Sequence, residues 1–398
     1  RPGRRNVASG AEMAAPSPAA AGSSPTLALH RRPHDTLRGV PVPPDAAYDP
    51  RIRERARMTM ADHAIIGLVA DLGGTNARFA IAEIAASASA RPDIALRHIR
   101  SLAAADYRTV AEAAADYLTS TGLDAPPDFA VAACAGPIID GAVAFTNIAW
   151  SATETDLASA LNIPRVRLIN DLAAVAWAAT ILPAGSLRRI GTTPDAAKPA
   201  TCAILSAGTG CNASAYIPNS TGGVVLVGEY GHSSYAPTDA LEAEIWQHLH
   251  AQFGVVSIER LLSGPGLLNI YQALCAIEGA AIEHDTPAQV AAAARAPVSE
   301  PIAMRSVARL CAIAGSVAGD VALAYGATGG VFLAGGVAAK LLTPEHDASF
   351  RIRFTEKGRF GPYLAAIPTQ VIEDTDCALL GAARAIASLT VATASRSR

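Results

Sequence analysis

The spacing of apolar positions changes abruptly near residue 65. Residues 1–57 mix Pro, Ala, Ser and Arg and show neither a helical nor an alternating period. A stretch of this kind buries too little apolar surface to offset its ordering entropy, so a disordered extension is expected there. It holds no apolar run of signal-peptide length, and its prolines with Glu12, Asp35, Asp45 and Asp49 do not suit a transit peptide. From 65 to 70 the chain reads as a buried strand, and 78–83 as a second one. Between them lies Asp71-Leu72-Gly73-Gly74-Thr75-Asn76, and a glycine pair between two strand runs signals a hairpin. Further strands are expected at 129–135, 142–146 and 166–170. Ser151-Ala152-Thr153-Glu154 has the form of a capping box and predicts a helix from there to about Leu161.

The second half repeats this grammar. A strand at 203–206 turns through Gly208-Thr209-Gly210 into another at 212–217. Helices are expected at 239–253, 266–275 and 301–325, a strand at 331–334, and a final strand–helix pair over 369–389. Strands alternate with helices, yet each half opens on an antiparallel hairpin. Two α/β domains with mixed sheets facing each other across a cleft satisfy both patterns. Two uncharged stretches, 172–187 and 321–339, are interrupted by glycine or proline and suit buried strands and turns rather than a membrane span.

Composition narrows the class of partner. With 398 residues, 51% of them hydrophobic, the chain can build two cores. Its net charge of -3 supplies no field for nucleic acid or an anionic membrane, and 5% aromatics leaves few base-stacking platforms. A small-molecule substrate is expected. Six cysteines without a C-x-x-C pair read as reduced thiols of a cytoplasmic protein.

Several segments can carry chemistry. Gly73 and Gly74 let backbone N–H groups approach a phosphate, Thr75 and Asn76 add donors, and the Asp71 carboxylate can hold Mg²⁺ through water. Gly208, Thr209 and Gly210 form a second such turn, although the chain has no Walker loop and Ala213 breaks the dinucleotide pattern. Asp171, following Asn170 at a strand end, can take the proton of a hydroxyl attacking phosphorus, or can simply cap the helix that follows. Glu229, His232 and Glu259 offer acceptors that suit a polyol. Gly335 and Gly336 close a short strand and can lie against adenosine, or can be turns alone.

In this order, with Asn147, Glu259-Arg260 and Ser263-Gly264-Pro265-Gly266, the segments resemble the bacterial ATP-dependent glucokinase family from about Ile65 to Leu389. The resemblance implies two actin-like ATPase (ribonuclease H-like) domains, one over 64–181 completed by 374–398 and the other over 182–373. It implies ATP and Mg²⁺ as cofactors, with Asp71, Gly73, Gly74, Thr75, Asn76, Gly208, Thr209, Gly210, Gly335 and Gly336 around the nucleotide. Asp171 is then the base, and Asn147, Asn170, Asp171, Glu229, His232 and Glu259 hold glucose. A homodimer is compatible with the same resemblance. Two positions depart from the family pattern: Cys211-Asn212 stands where it reads Leu-Gly, and Tyr230 where it reads Gly. Tyr230 either points away from the sugar or reshapes its pocket. The alternatives to glucose phosphorylation are a kinase for mannose or an amino sugar, and a sugar-binding regulator with impaired catalysis.

Overall fold

The computed structural model describes residues 64–396, apart from 86–91, 146–147, 197–198, 221 and 299. The expected extension over 1–57, Thr146 and Asn147 thus lie outside the described residues. The first part of the chain forms β1 (Ile65–Leu72), β2 (Asn76–Ile84), β3 (Ile94–Ala103), α1 (Val110–Thr121) and β4 (Phe129–Cys134). A small hairpin follows, β5 (Ala142–Ala144) and β6 (Ser151–Thr153), then α2 (Glu154–Leu161), β7 (Val166–Asn170) and α3 (Asp171–Ala178). The helix expected from Ser151 therefore starts three residues later. Residues 151–153 pair with 142–144, and the Thr153 hydroxyl caps α2 through the Asp156 N–H. Pairing with β5 gives those backbone groups partners that a first helical turn would not.

The second part forms β8 (Leu187–Ile190), β9 (Cys202–Ala207), β10 (Cys211–Ile217), β11 (Val224–Val227), α4 (Ala240–Phe253), α5 (Gly264–Glu278), α6 (Pro287–Arg295) and α7 (Pro301–Tyr325). It continues through β12 (Gly330–Ala334), α8 (Gly335–Leu341), α9 (Asp347–Thr355), α10 (Gly361–Ala365) and β13 (Thr369–Ile372) to α11 (Cys377–Arg396). The strands make two mixed sheets, ordered β3-β2-β1-β4-β7 and β11-β10-β9-β12-β13-β8. Both begin with an antiparallel meander and continue into parallel strands, so the second repeats the order of the first with β8 added at its edge. This is the repeated hairpin grammar of the sequence, now as topology.

Layer packing follows from residue size. Leu68, Phe79 and Tyr117 bury one face of the first sheet under α1 and α2, while Leu379, Ala383 and Ile386 of α11 cover the other. The second sheet buries Leu205 and Leu333 against α5 and α7. Its opposite face, through Ile204, Tyr216 and Phe332, meets Leu172 and Ala176 of α3. Helix α3, rich in alanine, is narrow enough to touch α11 on one side and the second sheet on the other. That helix begins with Asp171, so the residue is seated where the two sheets approach each other. Helix α7 is long and apolar enough to cross a membrane, but 72% of its most apolar window is buried inside the protein, as a core helix.

Candidate active site

Asp71 lies one residue before the end of β1, and Asn170 ends β7, with β4 running parallel between them. The register aligns Asp71 with Ala133 and Asn170 with Cys134, which brings Asp71 and Asp171 to the carboxyl end of one sheet, where open α/β sheets bind ligands. Asn170 is the N-cap of α3: its Oδ1 accepts the Leu172 N–H at 2.9 Å, and its Nδ2 donates to the Gly136 carbonyl at 3.2 Å. Capping therefore falls to Asn170, although Asp171 Oδ1 also accepts the Leu172 N–H, at 2.8 Å.

Burial pushes the Asp171 carboxyl above the usual carboxylate range; hydrogen bonds from the backbone and Asn170 oppose this, and the Glu229 charge adds to it. Asp71 is raised in the same way by burial, opposed by Arg78 and reinforced by Asp171. Asp171 thus lies near enough to both Asp71 and Glu229 to interact with each. Arg78 is already engaged, donating to the Thr375 carbonyl at 2.5 Å and pairing with Asp376. Two half-buried carboxylates with so little positive charge of their own fit a divalent cation held by oxygen ligands, with Asp71 the expected holder.

The second sheet brings its own turn. Gly208 donates its N–H to the Gly210 carbonyl at 2.8 Å and accepts the Gly264 N–H at 2.7 Å, so the Ser263–Gly266 segment braces the turn from behind. Gly335 has φ +89, and a Cβ there would run into the Ala207 backbone. Gly335 and Gly336 open a short helix rather than forming a turn, and Gly336 lies against the Gly208 bend. In the first sheet, Gly73, Gly74, Thr75 and Asn76 make the β1–β2 hairpin end, closed by the Gly73 N–H on the Asn76 carbonyl at 3.0 Å. The Thr75 carbonyl accepts the Ala104 N–H at 2.9 Å, while Thr75 and Asn76 stay exposed.

Adjacent residues of β10 grip the other two carboxylates. The Cys211 N–H donates to Glu259 Oε2 at 2.9 Å, and Asn212 Nδ2 donates to Glu229 Oε2 at 2.7 Å. His232 is exposed in the same short helical turn as Tyr230, its N–H on the Glu229 carbonyl at 3.1 Å. The Tyr230 ring packs on the core beside Leu323 and Tyr325 of α7, and burial pushes its hydroxyl up to about 12. The ring is thus packed on the core, where it senses Asp320 and Tyr325 of α7. Gly231 passes directly over the Cys211 carbonyl, where a Cβ would overlap that carbonyl.

The structure thus brings together Asp71, Asn170, Asp171, Glu229, His232 and Glu259 with the Gly208–Gly210 bend, and leaves Asn147 outside the described residues. Two contributors had no role assigned from sequence. Gly264 anchors the second turn, which a glycine-rich segment does not announce. Asn212 holds Glu229, and its only sequence signal was a side chain in place of a glycine.

A family model described as glucokinase matches residues 68–389. A glucokinase from Caulobacter sp. (strain K31) is 42% identical over 321 residues, covering 81% of this chain and 95% of that protein. Among solved structures, glucokinase from an Antarctic psychrotroph has a TM-score of 0.74 and 32% identity, covering 80% of this chain and 98% of its own. A ROK family glucokinase from Streptomyces griseus, in complex with glucose and AMPPNP, has a TM-score of 0.51 and 21% identity over 80% of this chain and 98% of its own. That last likeness is one of fold alone. The two repeated mixed sheets are those of the actin-like ATPase fold.

Proposed function

The chain belongs to the glucokinase family, and from that premise we propose that it transfers the γ-phosphoryl group of Mg·ATP to the 6-hydroxyl of glucose with Asp171 as base. One observation carries the assignment of roles. A half-buried Asp171, raised above the usual carboxylate range, stands at the start of α3 between the Asp71 carboxylate and the sugar-type acceptor Glu229. Asp171 Oδ1 accepts the Leu172 N–H, and the carboxylate is the group that takes the hydroxyl proton.

Asn170 lies next in the chain to the base and holds a neighbouring sugar hydroxyl. Glu229 and Glu259, each with one oxygen already fixed, accept from further hydroxyls, and His232 and Asn147 complete the set. The bends at 73–76 and 208–210 offer N–H groups to the phosphates, and Gly335 and Gly336 lie toward adenosine. Mg²⁺ held by Asp71 through water would neutralise charge on the phosphates. Residues 64–181 with 374–398 form one lobe and 182–373 the other, and their closure excludes water from the reacting groups. The reading extends to a homodimer located in the cytoplasm; four of the six free cysteines are buried, as suits thiols kept reduced.

A catalytically impaired regulator is not favoured, because the Tyr230 ring is packed on the core and the Asn212 amide binds Glu229 rather than displacing it. The test is a panel of hexoses with Mg·ATP in a coupled ADP-release assay on the full chain. Glucose should exceed mannose and glucosamine in kcat/KM by roughly tenfold or more, the scale of one hydroxyl-binding contact. A faster mannose or amino-sugar reaction would overturn the choice of substrate.

A further inference from the structure

Asn212 is the second residue of β10, immediately after the second glycine bend, and its side chain uses both ends. Oδ1 accepts the Tyr230 N–H and the Ala213 N–H, each at 2.8 Å, while Nδ2 reaches Glu229 Oε2 at 2.7 Å. A glycine at this position could make none of these side-chain bonds. On the far side of the same loop, the Tyr230 ring is seated on α7. The segment carrying Glu229 and His232 is therefore clamped between an amide and an aromatic ring, at the two places where the chain departs from its family pattern. The departures belong to one local arrangement.

We infer that Asn212 is a positioning residue for the sugar: its amide orients the Glu229 carboxylate and the loop to His232, so that Glu229 Oε1 meets the substrate hydroxyl. This rests on the reading of Glu229 as a sugar ligand. The geometry makes a selective demand, because only a donor at Nδ2 can face the carboxylate while only an acceptor at Oδ1 can take the two backbone N–H groups. Asn satisfies both, and no isosteric residue does.

Three variants of the full chain separate orientation from folding. Asn212→Ala removes both functions. It should raise the KM for glucose roughly tenfold to a hundredfold, the scale of a hydrogen bond to a charged group, with the KM for ATP within about twofold of wild type. Asn212→Asp keeps the acceptor toward Tyr230 and Ala213 but sets a second carboxylate against Glu229, with Asp171 as the further carboxyl group sensing that residue. Glucose binding by calorimetry at pH 8 should then be weaker than in Asn212→Ala, because a like charge replaces the amide donor. A role in folding alone would lower the unfolding temperature without placing the glucose affinity of Asn212→Asp below that of Asn212→Ala. Asn212→Gly, which lacks any side chain, should resemble Asn212→Ala in KM. Thermal unfolding within a few degrees of wild type checks that each variant folds.

If wild-type protein turns over a hexose but the KM for that hexose moves less than about threefold in all three variants, the role of Asn212 is overturned and the kinase reading stands. If the Asn212→Asp variant binds glucose as well as Asn212→Ala or better, orientation of the carboxylate is overturned. Absence of any hexose turnover by wild type would overturn both readings.

Discussion

Replacing Asp171 with Asn is the sharpest test of the proposed chemistry, because the structure separates its effects on rate from its effects on folding. The side chain does two things: Oδ1 accepts the Leu172 N–H at 2.8 Å, and the carboxylate as a whole carries the charge. An Asn side chain keeps the first, and Asn170 Oδ1 already shares that N–H at 2.9 Å, so the start of α3 stays capped. Removing a carboxylate from a helix N-terminus costs about 0.3–1 kcal/mol, and relief of its burial acts in the opposite direction. Unfolding temperature should therefore change little. Losing a general base lowers turnover by about 10²–10⁴-fold, or roughly 3–5 kcal/mol in the barrier. The chemical effect exceeds the structural one several times over.

The assay is ADP release with glucose titrated at saturating ATP, paired with glucose binding by calorimetry. The expected result is a collapse of kcat with glucose affinity within a few fold of wild type. The pH profile supplies an independent sign. Burial raises the Asp171 carboxyl, and the base acts only when ionised, so activity should fall on acidification at a pH above that of an ordinary carboxylate. The amide introduced by Asp171→Asn has no proton to gain, and that limb should vanish from the variant's residual activity. A variant turning over within about tenfold of wild type, or one retaining the acid limb, would remove Asp171 from the base role.

Two further perturbations address the frame. Glu242 is 1% exposed and receives Arg353 at 2.8 Å, Arg309 at 3.0 Å, the Tyr235 hydroxyl at 2.7 Å and the Thr238 N–H at 2.9 Å. Glu242→Gln removes the buried charge from two guanidinium groups that keep the partly exposed Asp239 carboxylate, and should cost about 1–3 kcal/mol, seen as an unfolding temperature lower by roughly 2–10 °C; a loss under about 0.5 kcal/mol would show that Asp239 alone satisfies both. Gly335→Val places a Cβ against the Ala207 backbone at a positive φ. It should raise the KM for ATP by about tenfold or more while moving that for glucose much less, since the strain falls on the bend at 208–210. An equal rise in both would place Gly335 away from the nucleotide.

Much of the frame was already legible in local pattern. Turn residues between strand runs, Gly73-Gly74 in the first sheet and Gly208-Thr209-Gly210 in the second, predicted both hairpins, a signal only a few residues long. The duplicated order of elements, and Asp71 and Asp171 as chemistry-bearing residues at strand ends, are likewise properties of short segments. The start of α2 is ambiguous locally because Ser151 and Thr153 are both good caps, and only pairing with β5, seven to eleven residues earlier, decides between them. The same limit applies at the site. Sequence presents Asn212 and Tyr230 as two intrusions into a glycine-rich pattern, with nothing local to say where either side chain points. Tertiary packing settles both, by offering Tyr230 an apolar seat on α7 and Asn212 a carboxylate and a backbone N–H from a loop seventeen and eighteen residues further on. Propensity and turn chemistry act over a few residues and can be read from the chain; which carboxylate a given amide meets depends on contacts that exist only once the two sheets have been assembled.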